Sequence, residues 1–68
     1  MQLLRNKRVS LGLTLTQMAE LFGMDVRNFT YFESGKRIFK TNQLLKVKEL
    51  YKLSNEELLQ YIHYVNNK

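Results

Sequence analysis

The chain has no cysteine, so neither a disulfide nor a cysteine-based zinc site can staple a domain this small. Proline is absent and only three glycines occur, which removes most turn-forming chemistry and suits an all-α fold better than a β fold. No apolar run is long enough to span a bilayer, and the opening MQLLRNKRVSLGL lacks the apolar h-region of a signal peptide. The expected setting is therefore cytoplasmic, with no membrane contact. Histidine occurs once, at His63, and no paired carboxylates stand ready to be set in a cleft. The expectation is a protein that is not an enzyme and has no metal or cofactor, with His63 at a surface or an interface. A length of 68 residues fits one domain, 1–68, near the lower size at which a single core is self-sufficient.

What the chain does have is positive charge, a net +5 that is unevenly placed. Residues 1–40 hold Arg5, Lys7, Arg8, Arg27, Lys36, Arg37 and Lys40 against Glu20, Asp25 and Glu33. Residues 41–68 hold Lys46, Lys48, Lys52 and Lys68 against Glu49, Glu56 and Glu57. The excess lies in the first part, as expected of a surface that faces a polyanion. A generic solubilising surface is the plainer reading, and charge alone does not separate the two.

The excess surrounds residues 14–33, TLTQMAELFGMDVRNFTYFE, which read as two short helices meeting at a glycine. Thr14 and Gln17 have capping-box spacing, with Leu13 and Met18 placed as a hydrophobic staple. Leu15, Met18, Ala19 and Phe22 then recur at helical spacing as one apolar face. Gly23 ends this helix, where a left-handed residue costs little. Asp25 caps the next, with Met24 and Phe29 as its staple. Phe29 and Phe32 face inward, Phe29 over the small Ala19. Val26, Arg27, Asn28, Thr30 and Tyr31 are left outward or on the flanks.

Around this pair, a first helix is expected from about Gln2 to Leu11, stopped by Gly12. It places Arg8 between Leu4 and Leu11, so a half-buried arginine needs an acceptor, for which Glu33 is the candidate. The rival reading is a surface Arg8 that binds phosphate. Ser34-Gly35-Lys36-Arg37 reads as a turn whose free N–H groups suit a phosphate oxygen. Phe39 is either a plug for this loop or an exposed contact residue. Thr41 is expected to cap a fourth helix, Asn42 to Lys52, with Leu44, Val47, Leu50 and Tyr51 inward. Ser54 and Glu57 form a second capping box, and a fifth helix over 55–65 carries Leu58, Leu59, Tyr61, Ile62, Tyr64 and Val65. That is more apolar surface than one monomer needs.

Arg8, Gly12-Leu13-Thr14, Met18-Ala19, Leu21-Phe22-Gly23, Phe32 to Arg37, and later Leu44, Leu45, Val47 and Leu53-Ser54 stand at ungapped spacing through the central stretch. In these residues the segment from Leu4 to about Leu58 resembles the phage-repressor helix-turn-helix family, the Cro and lambda-repressor type also called XRE-like. The resemblance implies a compact five-helix lambda-repressor-like domain with the helix-turn-helix as helices 2 and 3. It implies an Arg8–Glu33 ion pair and a transcriptional regulator, most simply a repressor, that reads a pseudo-palindromic double-stranded operator as a homodimer. Carried over, the base-reading positions fall on Val26, Arg27 and Tyr31, with Asn28 and Thr30 beside them.

The family commonly has glutamine as the first residue of helix two, where this chain has Leu15. Phosphate contacts are therefore expected to shift to Lys7, Ser10, Thr16, Thr30, Lys36, Arg37 and Lys40. The dimer contact, which the family often places after helix four, is expected on Leu58, Tyr61, Ile62, Tyr64 and Val65, with Tyr61 and Tyr64 lying flat on a monomer as the alternative. Because fold does not imply function, the rival reading keeps the helix-turn-helix but makes a protein the main partner, as in an antitoxin or regulatory adaptor.

Overall fold

In the computed structural model, which describes residues 2–67, five helices form: α1 (Leu3–Ser10), α2 (Leu15–Phe22), α3 (Val26–Ser34), α4 (Leu44–Tyr51) and α5 (Asn55–Asn66). A 3-10 turn, Thr41–Gln43, precedes α4. No strand occurs among the described residues, and Lys68, counted among the cations, lies outside them. Among the described residues no helix is long and apolar enough to cross a membrane.

Local side chains set most of the helix starts. The Gln17 N–H donates to Thr14 Oγ1 at 3.1 Å while Gln17 Oε1 accepts from the Thr14 N–H at 2.9 Å, a reciprocal box that fixes the start of α2. Asp25 Oδ1 accepts from the Asn28 N–H at 2.8 Å and starts α3. Ser54 and Glu57 make the second reciprocal box, at 3.1 and 2.9 Å, and start α5. The Ser54 N–H, and then Lys7, hold the Glu57 carboxyl below the usual carboxylate range. Gly23, at φ 72°, and Gly35, at φ 91°, close α2 and α3 in the left-handed region where a Cβ would be strained.

The fourth helix departs from expectation at both ends. Thr41 does not cap it. Gln43 Oε1 accepts from the Lys40 N–H and the Gln43 N–H donates to the Lys40 carbonyl, each at 2.8 Å. That loop tightens residues 41–43 into a 3-10 turn and delays α4 to Leu44. At its other end Lys52 adopts φ 56°, the one left-handed non-glycine among the described residues. The position is where a glycine usually sits.

The core gathers Leu4, Met18, Ala19, Phe22, Phe29, Phe39, Val47, Tyr51, Leu53 and Tyr61. Phe39 is its hub and not a surface residue. Its ring stacks on Phe22 and Phe32 at centroid distances of 5.2 and 4.7 Å and meets Tyr61 at 6.3 Å. Stacked and tilted aromatic pairs at such separations contribute beyond the area they bury. Leu13, Met24, Leu44, Leu50, Leu58 and Val65 pack against this core from its margin.

One polar cluster crosses the interior. Arg8 Nε donates to both oxygens of Glu33, at 2.9 and 3.1 Å, and Arg8 Nη1 donates to the Leu13 carbonyl at 2.7 Å. The Tyr51 hydroxyl donates to Glu33 Oε2 at 3.0 Å. Helices α1, α3 and α4 are thus tied at one buried carboxylate. Among the described residues no buried side-chain nitrogen or oxygen lacks a partner, so the cluster carries no orphaned group. Burial first, and the Glu33 charge second, push the Tyr51 phenol far above its ordinary range.

Candidate functional site

Helix α3 is anchored from inside by Phe29, Phe32 and Glu33, which leaves its other side to solvent. Val26, 42% exposed, and Arg27 stand fully outward, while Asn28, Thr30 and Tyr31 are half-buried at the flanks. No side-chain hydrogen bond or ion pair within the described chain engages Arg27, so its five donors remain available to an external acceptor.

The turn after α3 folds back onto this side. The Arg37 N–H donates to the Tyr31 carbonyl at 3.0 Å, which returns the chain across the end of the helix. The Arg37 guanidinium and the Lys36 ammonium then lie 5.4 and 5.6 Å from the centre of the Tyr31 ring, a cation–π cluster. Arg37 Nη1 donates to Asn28 Oδ1 at 2.6 Å. Asn28, Tyr31, Lys36 and Arg37, which the sequence alone does not connect, form one continuous surface beside Arg27.

Other expected residues are placed differently. Lys7 Nζ lies 3.3 Å from Glu57 Oε1, so its charge ties α1 to α5. The Ser10 hydroxyl donates to the Lys7 carbonyl and the Thr30 hydroxyl to the Val26 carbonyl, each at 2.7 Å. Both protons are engaged within their own helices, which leaves these two residues as acceptors toward a further group. Thr16 and Lys40 are exposed.

Arg5 was not among the expected contacts. It lines a cleft of about 260 Å³ together with Gln2, Arg8, Leu15, Thr30, Ser34 and the Arg8-paired Glu33. Its spacing of three from Arg8 places both on one side of α1, the signal that would have found it.

The expected interface on α5 changes in composition. Tyr61 is 4% exposed, packs on Phe39, and its hydroxyl accepts from the Phe39 N–H at 3.2 Å. It is a core residue, held there because the hub ring and an otherwise unpaired loop N–H both need it. Burial also raises its phenol above the ordinary range. Leu58 and Val65 are partly buried against the same core, and Tyr64 is half-buried beside Tyr61. The outward side of α5 instead offers Leu59, 63% exposed, with Ile62, His63 and Asn66 along a shallow groove.

Comparison of the chain with protein-family models, curated proteins and solved structures yields no match.

Proposed function

We propose that this chain binds double-stranded DNA sequence-specifically, with α3 in the major groove, and regulates transcription as a homodimer. The observation that carries the reading is Arg27, uncommitted on the outer side of a helix anchored by three inward groups, beside the Lys36–Arg37–Tyr31 cluster. A rigid helix with an open guanidinium and flanking cations has the two parts such recognition needs, a base reader and phosphate binders. In this reading Arg27 forks onto guanine N7 and O6, and Val26 meets a thymine methyl. Tyr31 packs along the backbone. Lys36, Arg37, Lys40 and Thr16 take phosphates, and Arg5 joins them in place of Lys7, which is engaged by Glu57.

A symmetric dimer through the outward side of α5, now centred on Leu59 and Ile62, would set two α3 helices about 34 Å apart on successive turns of one DNA face. The test is selection of bound duplexes from a random library. An enriched inverted repeat, with one position flattened by Arg27→Ala, supports the reading. Absence of enrichment removes it and turns attention to a protein partner.

A further inference from the structure

Resting on the DNA-binding reading, a finer statement follows from the contact between Arg37 and Asn28. A guanidinium only donates hydrogen bonds, so the amide end that meets Arg37 Nη1 at 2.6 Å must be the carbonyl oxygen Oδ1. The orientation of the Asn28 amide is therefore fixed by chemistry. A charged donor makes this bond about twice as strong as a neutral one. Arg37 is itself held twice over, by its N–H on the Tyr31 carbonyl and by its guanidinium against the Tyr31 ring. The Asn28 N–H is occupied too, by the Asp25 cap, so only the side-chain NH2 remains to be offered.

This matters because asparagine reads adenine with both ends of its amide, donating to N7 and accepting from the N6 amino group. Oδ1 keeps a second lone pair, but an adenine amino group approaching it meets the Arg37 cation already donating there, which weakens that second bond and narrows the approach. Guanine N7 and O6, or thymine O4, present acceptors alone and suit the NH2 that is left. We propose that Arg37 is a positioning residue for base selection, biasing Asn28 toward donation through its NH2 so that it disfavours adenine.

The experiment is the same library selection run with the wild type, Asn28→Ala and Arg37→Ala, joined to side-chain amide NMR of the DNA-free protein. The position flattened by Asn28→Ala should carry guanine or thymine in the wild type. In Arg37→Ala, adenine should rise there by about tenfold, within the range a bidentate asparagine–adenine pair contributes, while the Arg27 position keeps its preference. In the free protein the Asn28 amide should be ordered, and mobile once Arg37 is removed.

Three results would overturn the inference while leaving DNA binding intact. They are a wild-type preference for adenine at that position, an Arg37→Ala variant that loses affinity with an unchanged base profile, and an Asn28→Ala variant that flattens nothing. A wild type that enriches no sequence refutes the DNA-binding reading itself, and the inference falls with it.

Discussion

Replacing Arg8 with alanine would strand the Glu33 carboxylate in the interior with only the Tyr51 hydroxyl to answer it. Breaking a buried pair from one side typically costs about 3–5 kcal/mol, a large part of what a small domain possesses. Denaturant unfolding of Arg8→Ala is expected to show that loss. Tyr51 gives the cluster a second, alkaline signature. Because its folded pKa is raised above the ordinary 10.0, its contribution is fully present below pH 10 and is lost as pH rises toward the folded value. Stability of the wild type should fall above pH 10 more steeply than that of Tyr51→Phe, measured by unfolding at a series of alkaline pH values. The Arg8–Glu33 pair was legible in the sequence, since an arginine one turn from the inward Leu4 demands an acceptor, although the Leu11 that was to flank it on the other side is exposed. The hydroxyl of Tyr51 was not, because an apolar pattern reports which side a tyrosine faces but not what its oxygen meets. The same limit hid the Asn28–Arg37 bond, which crosses a glycine turn that no helical spacing describes.

At the scale of the elements, starts and stops were both legible where a capping side chain or a glycine marks them. Thr14–Gln17, Asp25 and Ser54–Glu57 are short local patterns, and each caps the helix the sequence assigns to it. Thr41 is also of capping type, yet Gln43 reaches back to Lys40 and wins the local competition. Lys52 could not be foreseen as a left-handed residue, because nothing about lysine marks that conformation. Its strain makes an engineering prediction. Lys52→Gly should stabilise the chain by about 0.5–1 kcal/mol, the relief of a left-handed side chain less the added freedom of glycine when unfolded. A thermal melt should rise by about 4–8 °C per kcal/mol gained. On α5 Tyr61, expected in a dimer contact, belongs to the core, with Leu58 and Val65 packed beside it. The 3.6-residue period gave no warning that a loop residue, Phe39, would draw that ring inward.

For the whole molecule, exposed apolar side chains are spread over several helices, with Leu45 at 67%, Leu59 at 63% and Val9 at 55%. Lys36 and Arg37 cluster on the Tyr31 ring at the end of α3, and Leu59 and Ile62 stand on α5. If α5 is the dimer contact, Leu59→Glu should give a monomer in sedimentation velocity at concentrations where the wild type is dimeric. Its affinity for an inverted repeat should fall while affinity for a half-site persists. The all-α class and the five helices were legible because caps and apolar periodicity are local. The composition of the patch was only partly so, since it depends on which polar groups find partners inside the chain. The most direct measurement is the affinity of the wild type for its selected duplex and for a scrambled one, each at two salt concentrations. The expected result is a slope of log K against log salt of roughly −4 to −5, from about four to six phosphates per dimer. At fixed salt a specificity ratio of about a thousandfold or more is expected, collapsing in Arg27→Ala. A ratio near one at both salt concentrations would contradict sequence-specific recognition by α3.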